Sequence, residues 1–290
     1  MVNYQILKNW AFNEISLAYS ERDTMLYALG VGFGADPLDS DQLRFTYEGN
    51  LQTVPTMASI IGSPGFWWGD PRTGADVVKL VHGEQHLRVY RTLPTHGNVI
   101  ARNGVDSLTD KGAGRGALAT VTRDLVDALT GDLLAQGTSV TFLRGDGGFS
   151  ASDGVSDPPP ATLPKPPQRT ADIQLKLASI PQAALLYRLS GDYNPLHADV
   201  EVARQAGFPR PILHGLCTYG MACHAVLRAC LRYDATRFRA LAVRFTAPVY
   251  PGEAVRFELW RGEDGRKWSL RAHVDTRNSV VLDNGIVEIE

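Results

Sequence analysis

Between Tyr187 and His197 the chain reads Tyr-Arg-Leu-Ser-Gly-Asp-Tyr-Asn-Pro-Leu-His, so a carboxyl (Asp192), an amide (Asn194) and an imidazole (His197) fall within six positions. A neutral imidazole is a competent base near pH 7, and a carboxyl can relay a proton to carbon. Proline disfavours the helical conformation for Asn194 and fixes its own φ, so Asn194-Pro195 makes a turn that can aim all three groups at one point. Downstream lies Gly207-Phe208-Pro209-Arg210-Pro211-Ile212-Leu213-His214-Gly215. A bland use exists for each residue. Asp beside Gly and Asn commonly serves a turn or cap, but turn preference alone does not ask for a histidine at this spacing. His214 is open between a brace for the loop and a direct contact. Asp192, His197, Asp199 and His214 also offer oxygen and nitrogen ligands, although no H-x-x-x-H or C-x-x-C pair anchors a metal.

These groups must be held by elements that hydrophobic periodicity reveals. Leu213 to Leu231 is apolar or small on most sides, with Arg228 and Arg232 near its C-terminal end, which predicts a wrapped helix. Alternation in Val255-Arg256-Phe257-Glu258-Leu259 and Val243-Arg244-Phe245-Thr246 predicts strands with one dry face. An antiparallel sheet curled around one central helix satisfies both patterns. The first half offers Thr56 to Ile61 as its helix, followed by VVKLVHG, EQHLRVYRTL, NVIARNGV, ALATVTRDLVDA and TSVTFLRG as strands. Met25-Leu26-Tyr27-Ala28-Leu29 resembles Leu185-Leu186-Tyr187-Arg188-Leu189 at an offset of 160, and the order of elements repeats after each. The expected organisation is an α+β chain of two such units, 1–144 and 171–290, joined by a Gly, Ser and Pro-rich linker at 145–170. The Pro-rich stretch Pro158 to Pro167 is expected to run extended along a surface.

With 290 residues and 44% hydrophobic content, the chain can bury a sizeable core. Its net charge of −2 is evenly mixed and lacks a basic block, which excludes nucleic acid as a partner. No apolar run reaches the roughly 18 residues of a spanning helix. The polar first ten residues do not read as a signal peptide, and the chain ends Val287-Glu288-Ile289-Glu290 rather than on a peroxisomal address, so the expected location is the cytoplasm. Cys217, Cys223 and Cys230 share one predicted helix and are expected as reduced, buried thiols. Gly112, Gly114 and Gly116 match no phosphate-loop pattern.

The string from Tyr187 to His197, with the later Gly-Phe-x-x-Pro-Ile-Leu-His-Gly, resembles the MaoC-like 2-enoyl-CoA hydratases, and within them the hydratase 2 domain of peroxisomal multifunctional enzymes. The resemblance extends through Thr46 to Gly49, Val54 to Thr56, Val81 to Gln85 and Asp110 to Gly114. It implies a double hot-dog fold and R-specific hydration of an enoyl-CoA to a (3R)-3-hydroxyacyl-CoA, with no metal and no redox cofactor. It further implies Asp192 and His197 as the catalytic pair, Asn194 as their positioner, and the amide of Gly215 in an oxyanion hole. Hydration puts oxygen on C3, negative charge on the thioester oxygen and a proton on C2, so two titratable groups and one aimed donor are the minimum set. His197 as base and Asp192 as proton donor is the preferred split, and the reverse stays open. Carried onto matching positions, His82, Gly83, Lys111 and Phe245 would hold CoA and the acyl chain, with His214 as a further contact.

The offset of 160 sets Gly32 opposite Asp192 and Pro37 opposite His197, so the first half has lost the chemistry and is expected to cradle the acyl group. Gly65-Phe66-Trp67-Trp68-Gly69 is open between core and lid. A hot-dog thioesterase and a non-catalytic acyl-CoA binding module are the competing functions, and a homodimer is the expected assembly.

Overall fold

Side chains on successive strand residues point to opposite faces, so a segment that alternates in polarity can bury one face and wet the other. Ten segments of the chain form strands in the computed structural model, which describes residues 2–290. They are β1 (Ile15–Tyr19), β2 (Leu80–Val89), β3 (Gly97–Asp110), β4 (Ala117–Asp127), β5 (Leu133–Leu143), β6 (Ile173–Ala178), β7 (Phe238–Phe245), β8 (Ala254–Arg261), β9 (Lys267–Val274) and β10 (Ser279–Ile289). Hydrogen bonding orders them β1-β3-β4-β5-β2-β7-β10-β9-β8-β6. Read outward from the central β2–β7 pair, the second half repeats the first with every strand number raised by five. The α+β class and the internal repeat are therefore both present, and the two curled sheets run on into one. They join at the seam through the antiparallel ladder of β2 with β7, where Glu84 stands opposite Arg244 and their side chains pair at 2.7 Å.

The two halves differ in what the sheet wraps. In the second half the central helix, Gly215–Cys230, is buried at every position from Cys217 to Leu227, as an all-round apolar sequence requires. The first half has only a five-residue 3-10 turn at Pro55–Ser59 in place of the expected helix from Thr56 to Ile61. The central helix serves both halves. A Cβ at its Gly220 would lie 2.4 Å from Val31 Cγ1, so a glycine is needed for the approach of the first half. One hydrophobic core runs across the seam, from Leu87, Val99 and Leu125 to Val243, Phe257 and Leu270.

Some boundaries differ from the sequence expectation. VVKLVHG and EQHLRVYRTL form the single strand β2, with a register shift between His82 and Glu84. Glycine at 83 carries the bulge, since it has no side chain to misplace. The edge strands β1 and β6 carried no expectation at all; at five and six residues they are short for periodicity to register. Trp68 is 7% exposed in a satellite core with Leu7, Leu108, Leu143 and Phe149, whereas Phe66 is 60% exposed. The Gly-Phe-Trp-Trp-Gly segment is thus anchored in the core through Trp68. The Pro-rich linker runs extended over the sheet, its Leu163 carbonyl accepting from Asn284 Nδ2 and its Arg169 carbonyl from Trp260 Nε1. Cys217 and Cys223 are buried free thiols, and Cys230 is half-buried and free.

Candidate active site

The catalytic-type residues sit on the connection between the helix Ala183–Tyr187 and the central helix. After a 3-10 turn at Arg188–Ser190 the chain reverses at Gly191, whose φ of +122° is open to glycine and costly for other residues. That reversal delivers Asp192. Asp192 Oδ1 accepts from the Asn194 amide at 3.2 Å, and Asn194 Oδ1 accepts from the Leu196 amide at 3.0 Å. Asn194 therefore caps the short turn Pro195–His197 and holds the imidazole in place through the backbone. Asp199 instead caps the helix Val200–Gln205, accepting from Glu201 and Val202, and is committed there.

His197 is 8% exposed, with Nδ1 2.9 Å from the Ile212 carbonyl. A carbonyl can only accept, so Nδ1 carries the proton and Nε2 presents its lone pair. Burial lowers the pKa of His197 below the ordinary 6.5, and the Ile212 carbonyl and the Asp192 carboxylate pull it back only in part. The imidazole is neutral at physiological pH. His214 is 1% exposed, donates from Nε2 to the Asp192 carbonyl at 3.1 Å, and stacks on His197 with ring centroids 3.7 Å apart. One carboxylate oxygen of Asp192, one ring nitrogen of His197 and one of His214 lie within 4.8 Å of one another. One water can span that distance with two ordinary hydrogen bonds of about 2.8 Å.

The same three residues are the site's metal-type donor set. The rings stack at 27°, and one nitrogen of each is engaged with a carbonyl, which leaves the other nitrogen of each with its lone pair.

Gly215 opens the central helix, where first-turn N–H groups lack intrahelical acceptors and face outward with the dipole behind them. A Cβ added there would lie 3.4 Å from the Phe245 ring, so glycine keeps that amide open on the Phe245 side. Phe245 in turn meets His82 with ring centroids 4.8 Å apart. His82 comes from the bulged part of β2, its Nε2 bonded to the Glu84 carbonyl at 3.1 Å, and burial pushes its pKa down to about 4 although Asp192 pulls upward. His82 and Phe245 thus bring both sides of the seam to the site. Gly83 lies at the bulge, where a Cβ would crowd the Val140 carbonyl at 3.2 Å. Lys111 is exposed in the β3–β4 turn, its ammonium 4.6 Å from the Phe142 ring centroid, outside the Asp192–His197–His214 group. Three supports went unread in the sequence: the Ile212 carbonyl on His197, the Tyr187 ring 4.9 Å from His214, and the Glu84–Arg244 pair. Ile212 and Tyr187 lie inside the quoted motifs, so position was available and contact was not.

Two family models match the chain, the MFE-2 hydratase 2 N-terminal domain over residues 17–145 and the MaoC like domain over residues 160–284. The peroxisomal enoyl-CoA hydratase 2 of Arabidopsis thaliana is 38% identical over 306 residues, covering 99% of this chain and 95% of the relative. The chain belongs to the MaoC-like hydratase 2 family. Among solved structures, a MaoC-like dehydratase from Phytophthora capsici superposes with a TM-score of 0.84 at 31% identity, covering 99% of this chain and 98% of the other. A Mycobacterium tuberculosis protein described as a double hotdog fold superposes at 0.54 and 16% identity over 97% of this chain and 94% of its own, a likeness of fold alone. As a MaoC-like hydratase 2 member the chain is a hydro-lyase of α+β double hot-dog architecture. No helix among the described residues is long and apolar enough to cross a membrane.

The buried histidines give the fold an acid limit. His214 and His224 are each 1% exposed, and burial holds both near a pKa of about 4 against 6.5 in an unfolded chain. Between those values the unfolded state binds more protons, so stability is complete above pH 6.5 and falls as the pH drops toward 4. The expected loss is on the order of 1 kcal/mol per pH unit for each. Melting curves from pH 7 to 4.5 check this. Replacing His224, whose ring stacks on Phe33 at 3.8 Å, by Phe should flatten part of the slope; an unaltered slope would contradict the account.

Proposed function

We propose that this protein adds water across the 2,3 double bond of a 2-enoyl-CoA, giving a (3R)-3-hydroxyacyl-CoA reversibly in β-oxidation. The observation that carries the reading is the approach of Asp192 and His197 within 4.8 Å, next to the chain that opens the buried helix at Gly215. Water sits between the two side chains. Its oxygen bonds to C3 while its proton passes to His197 Nε2, the ring nitrogen left free by Ile212. The double-bond electrons move toward the thioester oxygen, where the Gly215 amide stabilises the enolate. The enolate collapses as the proton taken up by His197 passes to the Asp192 carboxylate and from it to C2, which leaves both groups as they began. One water is consumed, nothing is oxidised, and the thioester stays whole. The tautomer of His197 favours it as base over the reverse split.

His82, Gly83 and Phe245 line the approach from the seam, and Lys111 is assigned to a CoA phosphate, for which an exposed ammonium is a natural partner. The proposed organisation is a cradle at 1–144, a strap at 145–170 and a catalytic unit at 171–290; it is supported by β5 ending at Leu143 and β6 starting at Ile173. A homodimer fits the outer edges of β1 and β6, which pair with no further strand among the described residues. A cytoplasmic location completes the reading.

The test is a panel of trans-2-enoyl-CoA substrates from short linear to sterol-sized. Loss of enoyl absorbance without release of free thiol is the expected result, with kcat/KM ranking the acyl groups. Thiol release from the same substrates would favour a thioesterase, and binding without turnover would favour a carrier module.

A further inference from the structure

His214 touches both members of the acid–base pair and is closed off from solvent. Its Nε2 proton is fixed by the Asp192 carbonyl, so Nδ1 holds the lone pair; that atom is buried and has no hydrogen-bond partner in the structure. One face lies on His197, and the Tyr187 ring packs at 49° from another side. A ring 1% exposed is poorly placed to meet a CoA nucleotide, the contact expected for it from the sequence. We propose that His214 is a positioning residue for hydration: its N–H fixes the turn that aims Asp192, and its ring face keeps water off the His197 imidazole.

Several groups face this pair of rings. Asp192 approaches from the reversal at Gly191, Arg188 from the 3-10 turn and Tyr187 from the preceding helix, while His82 of β2 faces Asp192 from across the seam. Burial first, then the neighbouring His197, holds His214 near a pKa of about 4. It is therefore neutral while His197 titrates and acts by geometry and exclusion of water, not by charge.

The inference rests on the hydratase reading, so the experiment separates the two. His214→Phe keeps a flat ring against His197 and deletes the donor; His214→Gln keeps an amide N–H within reach of the Asp192 carbonyl and deletes the ring. His214→Phe should lower kcat roughly 10- to 100-fold, the scale of a misaimed catalytic group, with KM within about 3-fold. His214→Gln should recover kcat to within about 5-fold of the parent. In the ligand-free protein, NMR titration should find His197 below 6.5 in the parent and in His214→Phe, and raised by about half a unit or more in His214→Gln. A KM rise of about 10-fold with kcat unchanged would make His214 a substrate contact. Equal losses in both variants that track their melting temperatures would reduce it to packing. Should the parent hydrate no enoyl-CoA, the hydratase reading falls, and the NMR titration decides by itself: identical His197 behaviour in all three proteins removes the inference.

Discussion

An Asp192→Asn protein is expected to hydrate enoyl-CoA at least ~100-fold more slowly than the parent, the low end for removing a general acid or base. The substitution is nearly isosteric. Asn keeps an Oδ1 that can accept from the Asn194 amide, the bond that Asp192 makes at 3.2 Å, so the turn should survive. The backbone carbonyl that receives the His214 proton is untouched. The loss should therefore appear in kcat, with KM and melting temperature close to the parent's. A rate within a few-fold of the parent, with the variant folded, would remove Asp192 from the reaction.

The second large effect concerns His197. His197→Ala should also lower kcat by ~100-fold or more, since the water loses its base. The more discriminating result is the combination with Asp192→Asn. Groups that handle one water act as a unit, so the double variant should be at most about 10-fold slower than the slower single one. Fully multiplied losses would place the two side chains in separate steps. The pH profile supplies an independent reading. Burial holds His197 below 6.5, so the acid limb of kcat/KM, where the imidazole takes a proton, should have its midpoint below pH 6.5. That acid limb should vanish in His197→Ala. A decline already complete above pH 6.5 would mean that another group is the base.

How much of this was legible in the residues depends on how local the physics is. The turn through Asn194-Pro195 is fixed by two adjacent side chains, and it stands where the sequence puts it. The central helix, expected within Leu213 to Leu231 because it is apolar on nearly every side, runs from Gly215 to Cys230. The repeat was visible in five residues at an offset of 160, and the strand order reproduces it throughout. What escaped was non-local. The pairing of β2 with β7 joins residues 160 positions apart, as Glu84 to Arg244 shows, and no periodicity within either strand encodes that choice. The collapse of the first-half helix to Pro55–Ser59 has a partly local cause at its far end, where Gly62 takes a φ of +68° and stops the helix short. His214 was the hardest residue to place, since its role depends on a carbonyl 22 positions upstream.

The matched order of strands on either side of β2–β7 has a genetic corollary. When two copies of one subunit associate about a dyad, any amino-acid change is made twice, so a gain at one active site is tied to the same change at its twin. Covalent fusion releases that bond. Each half of this chain can drift alone, and at the 160-residue offset the first half carries Gly32 where the second carries Asp192.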